Sequence, residues 1–406
     1  MKILIITQYF WPENFKINDF AIRLRDLNHE VIVLTGKPNY PTGIFFDGYN
    51  NFKKRREYYR GITIIRTMLI TRGSGSGFRL AANYLSFAFF ATFASIFRLS
   101  RNANVVFVYE PSPITIGIPA IVYKMISKVP IFLWVQDLWP ESLTGAGKVK
   151  SKFILNCTES LVKYIYNSTD LIFISAKSFR ESIMQKGIDP IKIKYLPNWA
   201  EDIFVNSSKN ETKSEKLEGN NEFKIVFAGN IGEAQDFESI VEAIFQTRNC
   251  QNIKWIIIGD GRRRSWLEQQ ICERKLENIQ LIERQPLDNM PYFFREADAF
   301  LVTLKDEEIF SITVPAKVQS YLAFGKPILA MINGEGADII KEAGAGFVVR
   351  SGDHINLAKK AVEMSELSKS ELYKMGEAGK IYYSKNFDRE HLIKFVIDEF
   401  MKLAKG

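Results

Sequence analysis

Short apolar runs alternate with amphipathic segments through the first 200 residues. Six runs have the length of a strand and almost no polar positions, at residues 3–6, 31–34, 62–65, 105–108, 131–135 and 171–174. Continuous apolar runs are typical of strands buried on both faces of a parallel sheet. Apolar residues at helical spacing lie between most of them, for example at 19–27 and 114–126. The pattern predicts a doubly wound α/β domain.

A second alternation of the same kind follows an almost wholly polar segment at residues 206–222, whose composition is typical of a flexible connector. It predicts strands, each followed by a helix, at residues 224–227, 253–258, 279–282, 299–303 and 328–331. We therefore predict two doubly wound, Rossmann-like domains that face a cleft, at residues 1–200 and 221–385, and an amphipathic C-terminal helix within residues 386–406.

The stretch FKIVFAGNIGEAQD at residues 223–236 joins a buried strand to a helix through two glycines. Gly229 and Gly232 end the apolar run, and apolar residues then recur at helical spacing. A helix that begins after such a turn presents free backbone N–H groups to an anion. Glycines also let a phosphate approach the main chain without meeting a Cβ atom. An ordinary strand-to-helix turn is the alternative.

Other strand ends of the second domain carry polar residues. Three arginines at residues 262–264 begin a helix, where they oppose its dipole unless an anion or solvent offsets them. Backbone groups at Gln285 and Pro286 are suited to the edge of a nucleobase. Pro315 is predicted at the first position of a helix, which puts Lys317 in the first turn. A cation there is unfavourable unless it faces a phosphate, and a plain surface lysine is the alternative.

Two strand ends of the first domain carry candidate residues. Asn14, Phe15 and Lys16 follow the first strand and are candidates for contact with an acceptor, although packing against a neighbouring loop is equally compatible. Asp137 and Glu141 follow the fifth strand, and either carboxylate is suited to hold a sugar hydroxyl or to orient an attacking one. Helix capping is the alternative for Glu141.

Composition and charge narrow the possible partners. The 406-residue chain has the composition of a globular protein, and its three cysteines are odd in number and lack metal spacing. We therefore expect a reduced, cytoplasmic setting. Residues 1–150 hold 19 lysines and arginines against nine acidic residues, whereas the whole chain carries only +8. The first half is thus expected to meet an acidic partner: nucleic acid, an anionic membrane or a phosphorylated substrate.

Residues 80–97 carry no charge, are rich in aromatic residues and are bracketed by Arg79 and Arg98. Their length allows a membrane span. A span would, however, place two strands of one sheet on opposite sides of a bilayer. We therefore favour a helix lying in the interface of an anionic membrane, with burial beneath the domain as the alternative.

Taken together, several motifs resemble those of family-four glycosyltransferases with the GT-B fold. The resemblance spans nearly the whole chain, and it is greatest to L-fucosaminyl transferases of bacterial O-antigen and capsule clusters. Its carriers include VQDLWPES at 135–142, LPNW at 196–199, FAGNIG at 227–232, IGDG at 258–261, VPAK at 314–317 and AFGKP at 323–327.

The resemblance implies a retaining enzyme that moves a sugar from a UDP-sugar donor on the second domain to an acceptor on the first. It implies neither a cofactor nor a metal, and a C-terminal helix that crosses back to the first domain. Asp137, Glu141 and Lys317 are the predicted catalytic residues. The predicted donor-binding residues are Gly229, Asn230, Ile231, Gly232, Gln235, Gln285, Pro286, Glu307 and Lys317.

The chain departs from the family pattern in its charged positions. Asn230 and Gln235 stand in the glycine loop, where the family often has Arg and Lys. Gln136 replaces the usual histidine near the fifth strand. These departures bear on which donor sugar is used.

A second departure concerns a pair of glutamates that the family places eight positions apart. By counting back from the AFGKP motif, this pair falls on Ile312 and Ser320. Glu307 or Glu308 is the nearest available substitute for contacting the sugar or ribose.

The expected partners are therefore a nucleotide-sugar donor, a polyprenyl-diphosphate-linked saccharide acceptor and the anionic inner face of the cell membrane, without nucleic acid. One alternative is a UDP-sugar 2-epimerase, which needs acid–base side chains in the cleft. None of the three histidines follows the carboxyl end of a predicted strand. The other alternative is a non-catalytic basic module that binds membrane or nucleic acid.

Overall fold

The computed structural model describes residues 1–145, 149–205 and 222–404. The chain divides into two compact units. Unit 1 comprises Met1–Pro197 and Glu390–Gly406, and unit 2 comprises Asn198–Arg389. Except for its last residue, the predicted connector at 206–222 lies outside the described residues.

Unit 1 is built on an eight-stranded sheet in the order β3-β4-β2-β1-β5-β6-β7-β8. The pairing of β3 with β4 is antiparallel, and the other pairings are parallel. The strands are β1 (Lys2–Ile6), β2 (Glu30–Thr35), β3 (Arg56–Tyr59), β4 (Ile62–Arg66), β5 (Val105–Glu110), β6 (Ile131–Val135), β7 (Leu171–Ile174) and β8 (Ile193–Tyr195).

All six strands predicted for the first domain are present, and the structure adds β3 and β8. The sequence REYY of β3 has no apolar run because this edge strand alternates between exposed and half-buried positions. Strand β8 has only three residues. Continuous apolar runs reveal only strands that are buried on both faces, so β3 and β8 were not predicted.

Unit 2 is built on a six-stranded parallel sheet in the order β11-β10-β9-β12-β13-β14. Five of its strands were predicted, and the short, half-buried β14 was not. The strands are β9 (Phe223–Ala228), β10 (Ile253–Ile258), β11 (Ile279–Ile282), β12 (Ala299–Thr303), β13 (Ile328–Met331) and β14 (Gly346–Val349).

Helices cover these sheets. In chain order they are α1 (Lys16–Asp26), α2 (Gly77–Phe97), α3 (Gly117–Ser127), α4 (Glu141–Gly145), α5 (Lys152–Ser168), α6 (Phe179–Gln185), α7 (Asp202–Val205), α8 (Phe237–Gln246), α9 (Arg264–Glu273), α10 (Met290–Glu296), α11 (Glu308–Ser311), α12 (Ala316–Phe324), α13 (Glu335–Glu342), α14 (His354–Ser365), α15 (Lys369–Asn386) and α16 (Arg389–Ala404). The predicted α/β class with two Rossmann-like domains is confirmed.

Helix α16 packs on the sheet of unit 1 although it follows unit 2 in the chain. The ring of Phe400 lies 5.8 Å from that of Phe107 and 4.6 Å from that of Phe132, measured between centroids. Lys194 of β8 also forms an ion pair of 2.5 Å with Glu399, which is almost fully buried. The last helix is thus part of the core of unit 1.

Both sheets contain a point where the strand order reverses. In unit 1 the reversal lies between β1 and β5, and in unit 2 it lies between β9 and β12. The loops that leave the carboxyl ends of such neighbouring strands diverge, and ligands of doubly wound proteins bind in the crevice that they leave. The residues that follow β1, β5 and β6 in unit 1, and β9 to β12 in unit 2, are therefore the candidates for function.

Candidate functional site

Two glycine loops of unit 2 contact each other at the carboxyl ends of β9 and β10. The backbone N–H of Ile231 donates to the carbonyl of Asp260 at 2.9 Å. Gly259 has a φ of +156°, and a Cβ atom there would lie 1.8 Å from the carbonyl oxygen of Gly229. Gly261 is similar, with a virtual Cβ 2.3 Å from the oxygen of Ile231. Glycine is required here because the two main chains approach so closely.

Gly259→Ala is therefore expected to destabilise unit 2 by about 2–5 kcal/mol, from the steric overlap and the unfavourable φ together. Gly344→Ala is the matched control. Gly344 also has a positive φ, +59°, but no atom lies within 4 Å of the Cβ position. Urea unfolding of the full chain measures both. Equal midpoints for the two variants would contradict the role assigned to the loop contact.

Lys317 reaches the glycine loop from the first turn of α12. A Cβ atom on Gly229 would lie 2.7 Å from its Cε and 3.0 Å from its Nζ, so the glycine leaves space for the lysine. The Nζ also lies 3.5 Å from the ring centroid of Phe227. Among the described residues no hydrogen bond or ion pair of Lys317 is found, and burial lowers the pKa of the ammonium group to about 7.

Lys317 and the loop thus meet as the sequence predicted, and no acidic side chain of the described residues pairs with the lysine. Pro315 is the N-cap residue of α12 rather than its first helical residue, and no side chain caps this end. The positive end of the helix dipole and an unpaired ammonium group therefore lie together. Such an arrangement is suited to an anion, because an anion would offset both the dipole and the charge.

The turn after the glycine loop differs from the prediction. Residues 233–235 form a single 3-10 turn, and α8 begins only at Phe237. The carboxylate of Asp236 caps α8 by accepting from the backbone N–H of Ser239 at 3.5 Å. The N-terminus of α8 is therefore not the open anion site that the pattern indicated, and the Lys317 end of α12 has that character instead.

The arginines at residues 262–264 are also accounted for within the unit. Arg263 forms ion pairs with Glu238 and with Glu233, and Arg264 pairs with Glu268 at 3.0 Å. Arg264 also donates to the carbonyl oxygens of Gly259 and Ile282. Acidic side chains thus offset the charge of two of these arginines at the start of α9.

Three further predicted residues lie on the loops that flank the glycine loops. Glu307 is the N-cap residue of α11, and its Oε2 is buried without a hydrogen-bond partner among the described residues. Gln285 and the exposed Pro286 follow β11, on the other side of β10. Gln235, in the turn after β9, has a buried Oε1 that likewise lacks a hydrogen-bond partner in the part of the chain that the structure describes. Unpaired acceptors of this kind suit the hydroxyl or amide donors of a ligand.

Asp137 follows β6 in unit 1, next to a carboxyl group that the sequence reasoning assigned no role. Burial raises the pKa of Asp137 to about 7. Glu110, at the end of the neighbouring strand β5, is fully buried, and neither of its carboxyl oxygens has a partner among the described residues. Burial first, and the charge of Asp137 second, raise the pKa of Glu110. The sequence does contain a signal for Glu110 as a candidate functional residue, because it is an acidic residue at the end of an otherwise apolar run.

Residues 208–381, which all lie in the unit 2 segment, match the model of the family "Glycosyl transferases group 1". The chain is 28% identical to the probable glycosyltransferase WbjE of Pseudomonas aeruginosa over 313 residues, which cover 76% of this chain and 75% of that protein. It is 24% identical to the putative colanic acid biosynthesis glycosyl transferase WcaI of Escherichia coli over 347 residues, which cover 80% and 82% of the two chains.

The chain is a glycosyltransferase. Its fold is GT-B, and it is similar to the crystal structure of Anabaena HepE in complex with UDP. The TM-score is 0.71 at 14% identity, and the match covers 99% of this chain and 100% of HepE.

Glu141 of the glycosyltransferase has a different environment from the one predicted. Its Oε1 accepts from Ser182 at 2.6 Å and from Lys186 at 2.7 Å. Burial alone would raise the pKa of Glu141, but the hydrogen bonds from Lys186 and Ser182 lower it overall. Lys186 is almost fully buried and also pairs with Glu159. The carboxylate holds α4 to α6, which is a structural role that the sequence did not indicate, and its catalytic role stays a prediction.

Glu141→Gln is expected to destabilise unit 1 by about 1–3 kcal/mol near neutral pH, because Lys186 loses a charged partner. The folded pKa of Glu141 lies below the unfolded one, so this stability is present above the unfolded pKa and is lost as the pH falls through the folded pKa. Thermal unfolding of both proteins should therefore differ at pH 7 and converge in acid. Glu181→Gln, on the exposed side of α6, is the control.

The predicted acceptor-side residues of the glycosyltransferase lie at the start of α1. Phe15 stacks on Tyr9, with ring centroids 4.9 Å apart, and lies 5.4 Å from Tyr40. Asn14 is exposed, whereas Lys16 is half-buried. The aromatic residues therefore pack against a neighbouring loop, which was the alternative interpretation. Among the three predicted residues, Asn14 alone is exposed, whereas Phe15 and Lys16 are half-buried.

Proposed function

We propose that this glycosyltransferase transfers a sugar, with retention at the anomeric carbon, from a UDP-sugar to a polyprenyl-diphosphate-linked saccharide in the synthesis of bacterial surface polysaccharide. The observation that carries the proposal is the ammonium group of Lys317, which has no ion-pair partner among the described residues and lies beside the Gly229 loop at a helix N-terminus without a side-chain cap. This arrangement suits the diphosphate of a nucleotide sugar.

The departure of UDP places negative charge on the diphosphate. Fixed donors that face this charge lower the barrier because they are already oriented before the reaction. Lys317 and the backbone N–H groups at the start of α12 supply such donors. Since this charge can be met without a cation, we also propose that the reaction needs no metal ion.

The remaining donor contacts follow from the order of the strand ends. The loop with Gln285 and Pro286 lies on the β11 side of the glycine loops, and Glu307 lies on the β12 side. We assign the base to the first and a hydroxyl of the ribose or the sugar to the unpaired oxygen of Glu307. Asp137 is assigned to a hydroxyl of the sugar substrates.

The donor sugar and the biosynthetic setting are proposed from the similarity to other proteins. WcaI is named for colanic acid biosynthesis, and HepE was crystallised with UDP. The sequence motifs resemble those of L-fucosaminyl transferases, so N-acetyl-L-fucosamine is the first donor sugar to test. A polyprenyl acceptor would place the enzyme at the cytoplasmic, inner face of the cell membrane, peripherally bound.

A donor screen tests this function. The purified full chain is incubated with UDP-linked hexoses and amino sugars and a short-chain polyprenyl-diphosphate saccharide, with and without EDTA. We expect one donor to yield a product whose anomeric configuration, determined by NMR, matches that of the donor, and no loss of rate with EDTA. Inversion, or no transfer from any UDP-sugar, would contradict the proposal. Epimerised UDP-sugar formed without acceptor would instead indicate an epimerase.

A further inference from the structure

The outer face of α2 exposes a continuous row of large apolar side chains. The exposed fractions are 61% for Leu85, 66% for Phe89, 57% for Phe93 and 66% for Phe97, which follow one another at intervals of four residues. Phe78, seven residues before Leu85, is 85% exposed on the same side. Side chains four apart lie one above the other on a helix. A contiguous apolar surface of this kind marks an interaction site.

The inner face of α2 is firmly attached to unit 1. Asn83 is fully buried and hydrogen bonds to the side chain of Gln8 and to the carbonyl of Ile70, both at 2.6 Å. Directly after the helix, Arg98 donates to the carbonyl oxygens of Arg66 and Arg55, both at 2.9 Å. Among the described residues α2 alone is long and apolar enough to cross a membrane, and 33% of its apolar window is buried. These anchors hold it along the surface of the unit.

The segment that carries the row contains charges of one sign. Residues 58–109 contain six arginines and no acidic residue or lysine. Arg79 lies in the first turn of α2, which contains no acidic residue, and Arg101 follows the last turn; both are exposed. A cation in the first turn opposes the helix dipole unless an anion is near. The surface is therefore complementary to one that is apolar inside and anionic at its boundary.

We infer that the outer face of α2 docks this protein on an anionic phospholipid bilayer, with the row of apolar side chains in the interface and Arg79 and Arg101 against lipid phosphates. A helix whose inner face packs on the protein and whose outer face binds in this way lies in the plane of the bilayer and does not cross it. The inference rests on the proposed use of a membrane-held acceptor and assigns the surface that reaches it. A second copy of the chain fits less well, because self-association through this face would bring arginine-flanked surfaces together.

Vesicle flotation of the full chain tests the inference. We expect the protein to float with vesicles of 70% phosphatidylcholine and 30% phosphatidylglycerol, and the double variant Phe89→Ser, Phe93→Ser to bind more than about tenfold more weakly. The control is Tyr373→Ser, Ile381→Ser, which removes two exposed apolar side chains from α15 of unit 2. The control should float like the parent. Equal flotation of parent and Phe variant, or no flotation of the parent, would overturn the inference.

The charge component is tested separately. Arg79→Gln, Arg101→Gln should weaken flotation with anionic vesicles severalfold and lose this difference in 0.5 M salt, at which charge interactions are screened over a few ångströms. Arg262→Gln, Lys341→Gln is a control of equal charge change on unit 2. Light scattering on the Phe variant detects the competing outcome: a parent dimer that becomes a monomer would reassign the face to self-association.

Failure of docking is distinguishable from failure of the proposed reaction. Binding of UDP in solution, measured by thermal shift, involves only unit 2 and should be unchanged in the Phe variant. Transfer to a water-soluble acceptor analogue should also be retained, while transfer to the acceptor in vesicles falls. Parent protein that floats but transfers no sugar would leave docking supported and the proposed reaction refuted.

Discussion

Lys317→Met is expected to weaken the binding of UDP by about 10- to 150-fold, which corresponds to the loss of one hydrogen bond between charged groups, about 1.5–3 kcal/mol. The methionine keeps the length of the side chain beside Phe227 but removes the charge that faces the Gly229 loop. Isothermal titration calorimetry with UDP measures the change. Lys341→Met, on the surface of α13, is the control and should bind UDP like the parent.

The affinity for UDP is also expected to fall as the pH rises. Burial lowers the pKa of Lys317 to about 7, so the free protein loses the positive charge as the pH rises above 7. A bound diphosphate favours the charged form, and UDP should therefore bind more weakly by up to about tenfold per pH unit above 7. Lys317→Met should remove this dependence. A parent affinity that stays constant from pH 7 to 9 would contradict the assigned contact.

The same substitution is expected to stabilise the protein when no ligand is present. The folded pKa of Lys317 lies below its unfolded value, so the protonated group opposes folding at pH values below the unfolded pKa. Lys317→Met should thus raise the melting temperature of the free protein while it lowers the shift that UDP produces. A residue kept only for packing would show the opposite sign in the free protein.

Asp137→Asn is expected to lower kcat/KM by about 10- to 150-fold, because the neutral amide is a poorer partner for a sugar hydroxyl than a carboxylate. The activity of the parent should rise with pH through about 7, where burial places the pKa of this carboxyl group. The rate of the variant should lack this rise. Asp47→Asn, at an exposed position of unit 1, is the control.

Stability separates a functional Asp137 from a structural one. Its folded pKa is raised above the unfolded value, so the stability contribution is fully present below the unfolded pKa and is lost as the pH rises through about 7. Asp137→Asn should therefore be at least as stable as the parent at pH 8 while it is less active. Loss of activity together with loss of stability at pH 8 would contradict the role in binding a substrate.

Local sequence patterns predicted the glycine loop and the position of Lys317 in its helix, because each of these features is short and contiguous in the chain. The run before Gly229 and the spacing from Pro315 to Lys317 follow rules that operate within one turn or one strand. Glu141 did not follow, because its partner Lys186 lies 45 residues away in the chain. Asp236 and Glu110 were not predicted for a similar reason. The helix cap formed by Asp236 and the burial of the Glu110 carboxyl group depend on atoms whose positions only the tertiary structure gives.

The amino-acid sequence by itself determined the α/β class, most of the strands and the loops from which a site would be built, since burial on both faces and glycine turns leave periodic traces. Tertiary structure alone decided which of those residues are paired with other side chains of the described chain. It set Lys317 beside Gly229, tied Glu141 and Arg263 into ion pairs, and left one face of α2 exposed. The physical reason is that charge pairing and solvent exposure depend on neighbours distant in the chain, which no local pattern specifies.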